Sequence, residues 1–211
     1  MFKKYSSVIF LIIFTIIMLT LTANADRLYL NSGENYFGDV LNEYLEIKTP
    51  YADIRLVEVY LTGVENRGDS FVIAAGDRNI FSGKIIGEAL VFDAEGEILT
   101  IKNEDIKRIL FDKVKKIAAD NKTVFKMNNK DSFLGKLMNK TITIKSPFGS
   151  NLEIASDQIK NIKFNSGNKA VIMLKDGKKR DTEITLKTFV IKPGAGRIFS
   201  VNASDLKEIN F

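Results

Sequence analysis

Apolar and polar residues alternate along most of the chain beyond residue 25. Stretches such as TITIK (Thr141 to Lys145) and LEIA (Leu152 to Ala155) place an apolar side chain at every second position. A period of two puts one face of a strand in a core and the other in water. Turn formers separate these stretches: Asn128-Asn129, Pro147-Phe148-Gly149, Asp176-Gly177 and Pro193-Gly194. The pattern predicts an all-β chain of many short strands.

The strands come in repeats. IKRILF (Ile106 to Phe111), IKNIKF (Ile159 to Phe164) and LKEINF (Leu206 to Phe211) close three successive stretches with nearly the same phrase. Reading back from each phrase recovers longer copies, Lys122 to Phe164 and Lys169 to Phe211, whose apolar positions align at a constant offset of 47. Asp69 to Phe111 repeats the form with one slip of register near Gly83. Arg27 to Asn66 is the most degenerate copy, keeping YFGDVL beside SFLGKL and EIKTPY beside TIKSPF but lacking the closing Phe. The sequence therefore predicts four tandem units of about 45–50 residues, a length at which arrays and propellers occur. Each unit reads as five short strands. The polar steps Asn103-Glu104, Ser156-Asp157 and Ser204-Asp205 before the closing strand predict a side-chain-capped helical turn. In IKNIKF, Ile162 and Phe164 share the buried face and Lys163 points outward.

DKVKKIAAD, Asp112 to Asp120, stands between the second and third units, with Val114, Ile117 and Ala118 at helical spacing. It predicts a short helical linker that divides the units into two pairs, 26–111 and 121–211. A single unit is too small to hold a core alone, so units are expected to pack on neighbours. A four-bladed propeller, with four strands per unit about one axis, is the alternative arrangement.

The order of four strands, a capped turn and a closing strand resembles small β-barrels of the Sm-like and Src-homology-three-like class. An apolar strand, an Asn/Asp/Gly turn, x-x-x-Gly at Gly38, Gly83 and Gly135, and a late Ile-x-x-Ile carry the resemblance. The fourth unit departs from it with Thr182 at the glycine position. The resemblance implies a small-barrel fold for each unit. Sm-like rings bind RNA, a partner not expected for an exported chain.

Export is predicted by residues 1–25, MFKKYSSVIFLIIFTIIMLTLTANA. Two lysines, a 14-residue apolar and hydroxyl run from Val8 to Leu21 and the ending Ala23-Asn24-Ala25 form a secretory signal cleaved after Ala25. The run is short for a bilayer span, which needs about 20 residues; a retained N-terminal membrane anchor is the alternative. Removal of Lys3 and Lys4 lowers the formal charge from +5 to +3. The chain has no cysteine and no histidine. Disulfide staples, Ser-His-Asp and Cys-His catalysis, and His- or thiolate-ligated metal sites are thereby excluded.

Remaining motifs are weak as chemistry. GDRNIFSGKI ends in Gly83-Lys84, but a phosphate loop needs glycine where Arg78 stands and a hydroxyl where Ile85 stands. The acids of DAEGE (Asp93 to Glu97) and NED (Asn103 to Asp105) lack a calcium-loop register and predict a solvated turn with Gly96 at positive φ. Lys175, Lys178, Lys179 and Arg180 surround one turn of the last unit and are the candidate anion-binding residues, facing anionic lipid or wall polymer. No cofactor, metal ligand or catalytic residue is assigned. The sequence reads as an exported, non-catalytic binding or scaffolding protein of the bacterial envelope, periplasmic or extracellular, with an envelope protein as partner and no nucleic acid. Its alternatives are a carboxylate-based enzyme on envelope polysaccharide and an outer-membrane β-barrel.

Overall fold

A computed structural model describes residues 25–76, 78–87, 89–118 and 123–211. The expected signal segment thus lies outside the described residues. The first half holds β1 (Asp26–Leu30), β2 (Asn35–Val40), β3 (Tyr44–Lys48), β4 (Asp53–Val57), β5 (Leu61–Asn66), β6 (Phe71–Ala75), β7 (Asn79–Ile85), β8 (Leu90–Ala94), β9 (Glu97–Ile101) and β10 (Ile106–Leu110). The second holds β11 (Thr123–Met127), β12 (Ser132–Leu137), β13 (Thr141–Lys145), β14 (Asn151–Ala155), β15 (Ile159–Ser166), β16 (Lys169–Leu174), β17 (Lys179–Glu183), β18 (Thr188–Pro193), β19 (Phe199–Asn202) and β20 (Leu206–Asn210). The chain is all-β. Its helical elements among the described residues are single 3-10 turns, Glu58–Tyr60, Asn103–Asp105, Ser156–Gln158 and Ala203–Asp205, each placed before the fifth strand of a run. None is capped from the expected step: the last turn has its box between Asn202 and Asp205, with Asn202 N donating to Asp205 at 3.3 Å, in place of a cap by Ser204; Ser156 donates its hydroxyl to Asn139 O at 2.6 Å.

The sheets are not closed into barrels, because the fourth and fifth strands of each run are parted by the 3-10 turn and do not pair. Nor does the second strand of a run pair with its own third strand. β1 pairs with β2 and β10, and β2 passes on to β8, which pairs with β9. β6 pairs with β5 and β7, and β7 passes on to β3, which pairs with β4. Strands one and two of either run thus join strands three to five of the other. The second half repeats the exchange: β12 leads to β18, and β17 meets β13. Four five-strand groups result, which we number one (β1, β2, β8–β10), two (β3–β7), three (β11, β12, β18–β20) and four (β13–β17).

The connections after β2 and β12 explain the exchange. Leu41-Asn42-Glu43 and Met138-Asn139-Lys140 contain neither Gly nor Pro to reverse the chain, so it runs straight into the neighbouring group. Asn42 fastens the crossing by accepting from Val91 N at 2.7 Å, and Asn139 does the same with Val190 N at 2.7 Å.

At each crossing two backbones nearly touch, and the x-x-x-Gly position supplies the room. A Cβ on Gly38 would collide with the carbonyl oxygen of Asp93, and one on Gly83 with that of Lys48; on Gly135 it would stand 2.8 Å from Lys192 O. In group four Thr182 takes this place and donates its hydroxyl to Lys145 O at 2.7 Å. The added side chain holds the strands apart. β13 and β14 form a separate two-stranded sheet, linked to β17 by the single bridge Ile144↔Ile184.

The closing phrases recur because they pair with one another. β5 and β10 run antiparallel with Val64 opposite Ile109, and β15 and β20 with Ile162 opposite Ile209. Ile106, Ile109, Ile159, Ile162 and Ile209 have no exposed surface. Phe164 is buried and meets Phe189 edge-on at 5.8 Å. Phe111 and Phe211, expected to match it, are only half-buried, because β10 and β20 end one residue earlier whereas β15 continues to Ser166.

Groups two and three form the joint between the halves. Ser132 bridges Ile80, the Phe81 and Phe133 rings stack at 5.2 Å, and Phe199 packs edge-on to Phe133 at 5.6 Å. Two buried side chains act reciprocally: Asn79 accepts from Leu134 N at 2.6 Å, and Asp131 accepts from Ser82 N at 2.9 Å. Tyr51 donates to Asp131 at 3.0 Å; burial first, then the Asp131 charge, raises its phenol pKa far above the ordinary value, so it stays a donor. On the other side Val57 N donates to Ala195 O and Arg197 N to Arg55 O.

The two-turn helix expected between the halves is not formed in its described part, residues 112–118. Lys115 N donates to Val59 O at 2.7 Å and Ile117 packs over Gly76. Nine residues cannot hold a helix against such tertiary contacts.

Gly38→Ala and Gly83→Ala are expected to lower stability by about 1–3 kcal/mol each, toward the upper end at Gly38. Gly87→Ala, where the added carbon meets only ordinary contacts, should stay within about 0.5 kcal/mol of wild type in urea unfolding.

Candidate functional site

The four cations singled out from the sequence lie together on the β16–β17 hairpin. Asp176-Gly177 makes the turn, with Gly177 at φ 86° and Leu174 N donating to Lys178 O. Lys175, Lys178, Lys179 and Arg180 are all exposed. Lys178 is held by Asp176, which accepts its backbone N–H and pairs with its ammonium, each at 3.0 Å. Those two hydrogen bonds hold the Asp176 carboxyl below its usual range. Lys175, Lys179 and Arg180 form no ion pair among the described residues. Lys179 and Arg180 stand opposite Met173 and Ile172 in the β16–β17 ladder, ahead of the point where Thr182 meets Lys145.

The acidic stretches lie elsewhere. Asp93–Glu97 forms the β8–β9 turn in group one, with Gly96 at φ 97° and its N–H donated to Asp93 at 2.7 Å. Asn103–Asp105 is a 3-10 turn. Among the described residues no cluster of three carboxylates could hold a metal ion. Gly83-Lys84 lies inside β7 rather than opening a helix.

Sequence reading missed a groove of about 630 Å³ where groups one and two cross, lined by Asn42, Glu43, Tyr44, Glu46, Arg55 and Val91. On one side Tyr44 is covered by two guanidinium groups, Arg55 at 5.4 Å and Arg197 at 4.9 Å from its ring. Such contacts stabilise by about 0.5–1 kcal/mol at exposed sites. Arg55 also pairs with Glu46. Arg197 comes from the other half of the chain, so no local pattern could have shown the triplet. With Glu46 neutralised by Arg55, the groove offers a binding surface but no opposed carboxylate pair.

The remaining carboxylate cluster ties chain segments together. Asp26 is buried and accepts from Val40 N at 3.1 Å and Asp112 N at 3.0 Å, while Asp39 pairs with Lys113 at 2.6 Å. Burial first, then the charges of Asp26 and Asp39, raise the pKa of neighbouring Glu58. No protein-family model matches this chain, and comparisons with characterised proteins and with solved structures gave no match either.

A carboxyl with a raised folded pKa binds protons in the fold, so ionising Glu58 costs stability above the folded pKa and nothing below the unfolded value of about 4.3. Glu58→Gln should therefore raise the thermal midpoint at pH 7 and leave it unchanged near pH 3. Melting curves at the two pH values check this.

Proposed function

We propose that the chain is an exported, non-catalytic binding or scaffolding protein of the bacterial envelope, in which four small-barrel-like units in two pairs offer sheet surfaces to a protein partner. One observation carries the reading. The surface by which groups two and three grip each other, the second strand and the hairpin after the third, is uncovered in groups one and four. There it carries Phe37, 48% exposed, and Phe148, 97% exposed. Exposed aromatic residues on β2 and on the β13–β14 turn suit docking of a partner's hairpin or sheet face. The buried carboxylates Asp26 and Asp131 are occupied by backbone N–H groups, which favours binding over hydrolysis. The basic, apolar and Ala-x-Ala order of residues 1–25, read as a secretory signal, supports a location outside the cytoplasm.

Affinity capture from envelope extract with the purified protein as bait is the test. One stoichiometric protein partner, lost on Phe37→Ser or Phe148→Ser without a change in melting temperature, is the expected result. Turnover of envelope glycan that carboxylate substitutions abolish would replace this reading with the enzymatic one.

A further inference from the structure

The internal joint has a counterpart at each end of the molecule, and the two ends differ in character. Positions match when counted back from the crossing residue. Phe81 and Phe133 stand two before Gly83 and Gly135; Tyr36 stands two before Gly38, and Arg180 two before Thr182. Four before lie Asn79 and Asp131 in the joint, and Glu34 and Lys178 at the ends. At the hairpin, Phe148 of group four occupies the place from which Tyr51 reaches into the joint, three residues beyond Lys145 as Tyr51 is beyond Lys48. No strand pairing connects group one to group four among the described residues.

Charge separates the ends. In group one, Asn31–Asp39 and Asp93–Glu97 carry five carboxylates and no cation. In group four, Lys145–Asn151 and Lys175–Thr182 carry five cations against two carboxylates. Each end also shows apolar surface, Phe37 and Ile98 at the first, Phe148 and Leu152 at the other.

We propose that group four of one copy docks on group one of a second copy through the joint that fixes group two to group three. This rests on the binding reading above and names the partner. Carried across, the internal geometry sets Arg180 over Tyr36 where Phe133 stacks on Phe81, a favourable cation–aromatic pairing. It sets Phe148 beside Glu34, where Tyr51 meets Asp131, and brings the cations of Lys178 to Arg180 to the acidic end that carries Glu34, Glu95 and Glu97. Phe148 enters the first group of the next copy. The contact joins two different surfaces, so every added copy leaves one end open, and assembly proceeds to filaments or, if the rotation closes, to rings. A lipid surface would use the cations of group four but not the acidic end or Phe37.

Sedimentation velocity of the purified protein over a concentration series, at low and at high salt, is the experiment. Species larger than one chain should grow with concentration at low salt and recede at high salt, where exposed charges are screened. Replacing Lys178, Lys179 and Arg180 together by glutamate should weaken association more than about tenfold, and so should replacing Glu34, Glu95 and Glu97 by lysine. Neither variant should associate alone, whereas an equimolar mixture should, because it restores opposite charge at every contact. These residues are exposed, so circular dichroism should show both variants folded. Wild type that stays monomeric overturns the proposal, whether it then binds anionic vesicles, which reassigns the cations to a membrane, or captures one envelope protein, which leaves the binding reading intact. A mixture no more associated than its components overturns it as well.

Discussion

Everything in this molecule depends on the close passage of two backbones where the second strand of one run meets the third strand of its neighbour. Gly38, Gly83 and Gly135 admit a carbonyl oxygen where any side chain would collide. That passage lets the chain change groups within three or four residues, and it makes the two runs of each half inseparable. Runs of this size sit near the lower limit for an independent core, and the exchange removes the need for one. Each group completes its buried face with strands from the other run, as exchanged elements do in swapped dimers.

The same passage determines what is left over. Where glycine holds the crossing tight, the second strand and its facing hairpin present one continuous surface, and two such surfaces meet as the joint of Asn79, Asp131, Phe81 and Phe133. Where Thr182 takes the glycine's place, β17 meets β13 through the Thr182 hydroxyl and the Ile144–Ile184 bridge instead of a ladder, and its cations are exposed. Asp131 shows the demands of the joint: it is 1% exposed, and its second carboxylate oxygen has no hydrogen-bond partner. The cost of that oxygen is set against the Tyr51 and Ser82 bonds.

Period-two alternation and turn chemistry made the all-β class and most strand positions legible, since both are local. The closing phrase was legible as a buried edge, with Ile162 inside and Lys163 outside. Its partner was not: alternation says which face is buried, not which copy lies across the ladder, so the pairing of Val64 with Ile109 and the exchange itself stayed hidden. Thr182 was visible as a departure, but its hydrogen bond to Lys145 O was not. The linker misled because Val114, Ile117 and Ala118 have helical spacing, yet Ile117 is consumed by packing on Gly76. Of the candidate site, the hairpin of Lys175 to Arg180 was legible because its cations are contiguous. The stack of Arg55, Tyr44 and Arg197 joins residues from both halves and could not be.

Strand exchange can be tested directly, because the chain contains no cysteine. Asp39 lies opposite Asp93 in the β2–β8 ladder; without exchange it would lie opposite Lys48 of its own run. Two double variants, Asp39→Cys with Asp93→Cys and Asp39→Cys with Lys48→Cys, can be oxidised under mild conditions and read by mobility and mass. Cross-strand neighbours have Cβ atoms about 4.5–5.5 Å apart, so a strand movement of about 1 Å brings them within the roughly 3.5–4.5 Å of a disulfide. Rapid closure of the first pair with none of the second is the predicted result. Closure of the Asp39–Lys48 pair instead would mean that each run pairs with itself, and the account of the crossing glycines would be wrong.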